Sequence, residues 1–294
     1  MHKDAYQIDD ALVRDLIATQ FPDWLSLPRS RVPSQGTDNV IYKLGQELCI
    51  RLPLIPSASV SLEKEINCLR ALPKLPLKTP YVLGIGKPTE AYPSPWAIYD
   101  WIAGDQVTAI DFQDDAQAAA DMADFISALH QSDGGATPVY GPHNHFRGCP
   151  LSERDQLTRK AIEGVSDLYP VEALLEIWRQ ACDAPAWSQP SLLIHGDIHA
   201  GNLVERNGKT VGVLDFGLAG RGDPAVDCIV AWSLFRGDAR AAFQAGLNLD
   251  GASWSRGRGW ALSTAVIALE YYRTSNPFMA ALSSRTLEAV VADF

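Results

Sequence analysis

Apolar positions along the first hundred residues change period twice, from helical to alternating and back. Leu12, Val13, Leu16 and Ile17 recur at helical spacing over residues 9–20, behind Asp9 or Asp10 as the cap. Pro22 and Pro28 end that helix. Two β-type runs follow at 39–44 and 48–52, and the turn Gly45-Gln46-Glu47 between them predicts a hairpin. Helical spacing returns over 59–72, ahead of a proline-rich stretch at 73–80. Residues 81–85 and 96–101 read as two further strands.

Beyond Gly104 the pattern is mainly helical. The run 112–131 is alanine-rich with an apolar stripe, and 151–165 and 171–182 continue the trend. One β island interrupts it, with strands expected at 192–194, 203–205 and 211–214. Asn207-Gly208 between the last two predicts a type I′ turn, because both residues accept positive φ. Helices are expected at 224–236, 238–246, 256–274 and 277–292. The layout predicts an α+β fold of two unequal parts, a β-rich lobe at 1–103 and an α-rich lobe at 104–294. A cleft between them is the natural ligand site.

Composition narrows the partners. Lys plus Arg is 25 and Asp plus Glu is 35, a formal charge of −10. That excess of acid argues against a nucleic-acid backbone as partner. Five cysteines without a CxxC pair read as reduced thiols. The first residues lack the basic start and apolar run of a signal peptide, and no stretch approaches the roughly 18 apolar residues of a membrane helix. A soluble, cytoplasmic protein without a membrane or nucleic-acid partner is the expectation.

Candidate chemistry concentrates in LLIHGDIHAGNLVERNGKTVGVLDFG, residues 192–217. His195-x-Asp197-x-x-x-x-Asn202 is followed, beyond the hairpin, by Asp215-Phe216-Gly217. Phosphoryl transfer from a nucleotide needs a carboxylate to take or orient the acceptor's hydroxyl proton, and oxygen ligands for Mg²⁺. Asp197 just past one strand, Asn202 starting the next and Asp215 ending a third would meet at one end of an antiparallel island. The segment resembles the HRDxxxxN…DFG signature of protein kinases, in the HGDxxxxN version of the aminoglycoside phosphotransferase family, which includes macrolide and small-metabolite kinases. The resemblance implies a two-lobed protein-kinase-like fold. It implies Asp197 as the catalytic base, Asn202 and Asp215 as Mg²⁺ ligands, and ATP or GTP as co-substrate.

The same resemblance assigns the nucleotide lobe. Gln35 to Tyr42 is similar to the family's short phosphate-covering loop, making Gly36, Thr37 and Asn39 candidate contacts. Arg51 stands where many kinases place lysine and takes the role of the phosphate-binding cation; Lys43 lies on the neighbouring strand. Glu65 flanks the buried stripe Leu62, Ile66 and Leu69 and best matches the helix acid that pairs with that cation, whereas Glu63 points elsewhere. Asp100, Trp101 and Ile102 are candidate purine contacts in the segment joining the lobes.

Other polar residues read as structural. His195 is expected to brace the loop. His199 could meet substrate, phosphate or water, or be a plain loop residue. Asp223, before Pro224, is an N-cap signal, and with Asp227 it should organise the loop. Trp232, Trp254, Trp260, Glu270, Tyr271, Tyr272 and Arg273 are the raw material for an acceptor pocket. The expected acceptor is a small hydroxylated compound, an aminoglycoside first, with a macrolide or an amino alcohol or sugar as alternatives. A catalytically silent nucleotide-binding regulator is the rival from another class.

Overall fold

The computed structural model describes residues 5–33, 39–107 and 115–294. The expected phosphate-loop residues Gly36 and Thr37, and the first part of the 112–131 run, lie outside them. Helix α1 (Asp10–Gln20) starts where Asp9 accepts a hydrogen bond from the Leu12 amide at 2.8 Å. Three strands follow: β1 (Arg29–Arg31), β2 (Asn39–Leu44) and β3 (Leu48–Pro53). Helix α2 (Pro56–Ala71) begins three residues before the expected run, since Pro56 fits the first turn, where an amide hydrogen has no partner. Strands β4 (Val82–Gly86) and β5 (Trp96–Asp100) complete an antiparallel sheet of order β1-β2-β3-β5-β4.

Alternation along these strands divides the apolar side chains between two cores. Val40, Tyr42, Leu44, Ile50, Leu52, Trp96 and Ile98 join Val13, Leu16 and Ile17 of α1 on one face. Ala97 and Tyr99 turn to the other face, where Leu62, Ile66 and Leu69 of α2 meet the main core. Register pairs Ile41 with Arg51, and Arg51 with Ala97, so the Arg51 side chain shares the α2 face.

The rest is mostly helical. A two-residue strand β6 (Asp105–Gln106) precedes α3 (Ala116–His130), α4 (Asp155–Gly164) and α5 (Val171–Asp183). Strands β7 (Leu192–Ile194), β8 (Leu203–Arg206), β9 (Lys209–Val213) and β10 (Gly220–Gly222) come next. Helices α6 (Val230–Ser233), α7 (Gly237–Leu247), α8 (Gly251–Tyr272) and α9 (Pro277–Ala292) complete the chain. Asn207 and Gly208 both have positive φ, as the β8–β9 turn requires. Trp178, Trp260, Phe216 and Phe243 are fully buried in the helical core.

Three sequence expectations are corrected here. The β island is two sheets: β7 pairs with β10, while β8 and β9 form a hairpin extended by β6. Asn202 belongs to a 3₁₀ turn at Ala200–Asn202 rather than to a strand, and Asp215 lies two residues beyond β9 with φ +62°. The single helix expected at 224–236 is a 3₁₀ stretch, Pro224–Ile229, running into the short α6. Asp223 caps that stretch by accepting the Ala225 amide at 3.0 Å. Among the described residues, no helix is long and apolar enough to cross a membrane.

Candidate active site

Arg51 reaches outward from the middle of the sheet and ties three elements together. One of its terminal nitrogens lies 2.7 Å from both carboxylate oxygens of Glu65 on α2, and the other 3.1 Å from Asp215 Oδ1. Glu65 is 1% exposed, and its Oε1 also accepts the Phe216 amide at 3.1 Å. Burial pushes the Glu65 carboxyl up to about 7 while Arg51 pulls it down. Burial also acts to raise Asp215, but Arg51 and the Gly217 amide more than reverse this and leave it below the usual carboxylate range. Glu63 is exposed, on another side of the helix.

Asp197 follows β7 through Gly196. Gly196 has φ +77°, and a Cβ there would sit 2.9 Å from the Leu218 carbonyl oxygen, so the bend needs glycine. The Asp197 backbone is held at both ends: its amide donates to His195 Nδ1 at 3.2 Å, and its carbonyl accepts from Asn202 Nδ2 at 2.9 Å. The carboxylate is freer, with Asn202 Nδ2 at 3.4 Å, Arg147 at 3.7 Å and His199 Nε2 at 3.8 Å. The Leu214 amide donates to the Asn202 carbonyl at 2.8 Å, which sets Asp215 beside the Asp197–Asn202 turn.

His195 is fully buried and spends both ring nitrogens on the backbone. Nδ1 accepts from Asp197, so Nε2 carries the hydrogen that goes to the Leu214 carbonyl at 3.0 Å. Burial holds this imidazole below its usual pKa, against the pull of Asp227 and Asp197, which fits a neutral brace. His199 Nδ1 accepts the Gly201 amide at 3.0 Å, closing the loop on itself. Asp223 caps Ala225 at 3.0 Å and pairs with buried Arg256 at 2.6 Å.

Asp227 accepts the amides of His195 at 3.0 Å and Gly196 at 2.8 Å, and faces His130 Nε2 at 3.0 Å. Asp227→Ala should therefore orphan two buried amides, at about 1–3 kcal/mol each. Urea unfolding should give a midpoint well below that of the parent, with Asp227→Asn, which keeps one acceptor, lying between them. Equal midpoints for all three would remove this bracing role.

The remaining candidates are placed less uniformly. Asn39 begins β2, and its buried Oδ1 has no hydrogen-bond partner among the described residues. Asp100 and Trp101 already spend their amides on the Tyr81 carbonyl at 3.1 Å and the Glu47 carbonyl at 2.6 Å. Ile102 is buried against Gly212 of the β8–β9 hairpin. Lys43 lies over the Trp101 ring, 5.1 Å from its centroid. Trp232 and Trp260 are core residues, Trp254 packs against Trp232 and Phe243, and Arg273 pairs with Asp167 at the surface. Tyr271 is exposed and Tyr272 stacks edge-on to it. Glu270 lies at Gly164 of α4. Arg147 is the residue that sequence reasoning missed altogether, because nothing in HNHFRG marks it as a neighbour of Asp197.

Comparison with known proteins bears on the whole arrangement. An uncharacterized protein of Bacillus subtilis, YcbJ, is 29% identical over 117 residues, covering 39% of this chain and 37% of that one. An aminoglycoside 3'-phosphotransferase of Escherichia coli is 27% identical over 119 residues, covering 38% and 41%. The chain thus matches about two fifths of the length of these curated relatives. Among solved structures, the GDP and kanamycin complex of APH(2")-IIia superposes with a TM-score of 0.70 at 19% identity, over 97% of this chain and 99% of that one. The macrolide 2'-phosphotransferase MphH from Brachybacterium faecium gives 0.63 at 18%, over 96% and 98%. At such identities these likenesses speak for the two-lobed fold. The model of the phosphotransferase enzyme family, APH, matches residues 30–260, from the edge strand β1 into α8, and the chain belongs to that family.

Proposed function

We propose that this protein transfers the terminal phosphoryl group of ATP or GTP to a hydroxyl of a small compound. The observation that carries the reading is the Arg51 guanidinium, which joins Glu65 and Asp215, 150 positions apart in the chain, into one charged cluster beside Asp197 and Asn202. Asp197 is the base: its carboxylate takes the hydroxyl proton as the acceptor oxygen bonds to phosphorus. The bond from phosphorus to the bridging oxygen breaks, and the nucleoside diphosphate leaves with that electron pair. Arg51 supplies positive charge to the phosphates, and Glu65 holds it in place. Asn39, with its unpartnered amide oxygen, edges the nucleotide side; Gly36 and Thr37 are assigned there by the family resemblance alone. Of the lobe-joining segment, Ile102 and the Trp101 carbonyl are left for the purine, since two amides and the Asp100 carbonyl are already engaged.

The donor set suits Mg²⁺. Because Asn202 Nδ2 donates to the Asp197 carbonyl, the Asn202 amide oxygen is left for a cation, and Asp215 Oδ1 alone takes Arg51 and Gly217. Among the described residues there is no cluster of three His, Cys, Asp or Glu, and Mg²⁺ needs none, since it uses one or two protein oxygens with phosphate and water. Asn202 and Asp215 would hold it, and when bound it would neutralise charge on the phosphates.

An aminoglycoside is the first acceptor to test, because the E. coli relative carries that name and solved neighbours are complexes with kanamycin, streptomycin and gentamicin. A macrolide is the second, on the strength of the B. faecium neighbour. Nucleotide consumption with Mg²⁺ should be followed against aminoglycosides, macrolides and amino alcohols. The expected result is a product heavier by one phosphoryl group, abolished by a chelator. Tight nucleotide binding without turnover on any acceptor would sink the reading in favour of a silent regulator.

A further inference from the structure

The segment 141–149 carries features that its sequence does not announce. His145 and Phe146 both have positive φ, +50° and +57°. Two consecutive non-glycine residues there are strained, a bulky phenylalanine especially so. The strain is held by built contacts. Buried Asn144 accepts the Gly141 amide at 3.0 Å and donates to the Arg147 carbonyl at 3.1 Å. Arg154 donates to the His145 carbonyl at 3.2 Å. Strain that the surroundings over-determine in this way collects at functional sites.

What this bend delivers is the Arg147 guanidinium. The side-chain stem packs over Gly196 through Cβ and Cγ, the side chain is 16% exposed, and a terminal nitrogen stops 3.7 Å from Asp197 Oδ1. That is beyond the roughly 2.7–2.9 Å of a charge-assisted hydrogen bond. Its Nε is buried with no partner among the described residues, and a second cation, Arg154, lies near enough to be felt. No carboxylate lies within 4 Å of Arg154 among the described residues; it bonds Ser263 and covers the Trp260 ring. Of these two neighbouring arginines only Arg147 faces a carboxylate among the described residues, at 3.7 Å, and buried donors without acceptors are costly. An arriving anion would meet the positive charge and the terminal nitrogens of Arg147, the planar fork that phosphate favours.

We propose that Arg147 is an oxyanion-binding residue of the active site, receiving phosphate-type oxygens beside Asp197. The oxyanion is either the phosphoryl group in transit or an acidic group on the acceptor. The proposal rests on the reading of Asp197 as the base, but its test does not depend on turnover. Inorganic phosphate titrated into the protein and followed by ³¹P line broadening should bind the parent. Arg147→Gln should weaken that binding roughly 10- to 100-fold, the worth of a hydrogen bond to a charged group. Arg147→Lys should recover part of it, and Arg159→Gln, on the exposed face of α4, should change nothing. Asp197→Asn keeps Arg147, removes the competing charge and should tighten phosphate binding, whatever it does to catalysis.

Nucleotide hydrolysis with water as acceptor separates the two sources. A fall in Arg147→Gln that tracks the lost phosphate affinity assigns the phosphoryl group; unchanged hydrolysis with weakened phosphate binding assigns an acidic acceptor. Parent protein that does not bind phosphate, Arg147→Gln that binds it as the parent does, or Asp197→Asn that fails to bind it more tightly overturns the proposal. Full turnover in Asp197→Asn would instead overturn the base assignment and leave the phosphate titration to be read by itself.

Discussion

Asp197→Ala should lower phosphoryl transfer about 10²–10⁴-fold, the usual worth of a positioned general base, while leaving the fold intact. The separation is possible because the loop is held through the Asp197 backbone. The amide bonds His195 and the carbonyl bonds Asn202, and neither contact is touched by truncating the side chain. Among the described residues the carboxylate has no hydrogen-bond or ion-pair partner closer than 3.4 Å, and it is 28% exposed, so little is lost with it. Steady-state turnover and a urea melt on the same preparation check both halves. Retained turnover would remove Asp197 from the chemistry, and a collapsed melt would refute the claim that its side chain is structurally silent.

Arg51→Met should cost about 3–5 kcal/mol of stability, the penalty for stripping one partner from a buried ion pair. Glu65 would keep only the Phe216 amide. The loss should also depend on pH. Burial already lifts Glu65 from 4.5 to about 7 against the opposing pull of Arg51, and without Arg51 it rises further. A carboxyl whose folded pKa exceeds its unfolded value contributes stability below the unfolded value and loses it as pH rises through the folded one. Asp215 acts in the same sense. Its depressed pKa contributes stability above the unfolded value that fades as pH falls, and Arg51 is its main support. The Asp215 share of the deficit is complete below pH 6 and the Glu65 share still grows above it, so the urea midpoint of Arg51→Met should fall further below the parent at pH 9 than at pH 6. The double variant Arg51→Met, Glu65→Leu, which removes the Arg51–Glu65 pair together, should recover much of the loss. A deficit that does not change between pH 6 and pH 9 would show that Glu65 is not what Arg51 compensates.

The legible parts of this molecule were those written locally. Helical spacing put Glu65 at the edge of a buried stripe, and the family resemblance named it and Arg51 as partners, so the pair could be expected before either was located. The Asn207-Gly208 turn was equally plain. Pairings made by tertiary neighbours were not. β10 is Gly-Arg-Gly and β6 is Asp-Gln, too short to carry any alternation, and each exists because another strand lies alongside. The helix expected at 224–236 failed because the Asp227 side chain is recruited by the His195 and Gly196 amides across the core. Arg147 was invisible for a related reason. Positive φ at His145 and Phe146 has no glycine to announce it, and side-chain contacts from Asn144 and Arg154 help to hold it there.

Strand β5 carries one more implication. Trp96 and Ile98 belong to the α1-side core and Ala97 and Tyr99 to the main core, so a single five-residue strand is common property of both. The two halves are therefore not interchangeable cassettes. Grafting the nucleotide side of a relative onto this chain would have to bring the Ala97–Tyr99 face along with its partners Leu62, Ile66 and Leu69. Otherwise the graft would meet a surface cut for other side chains.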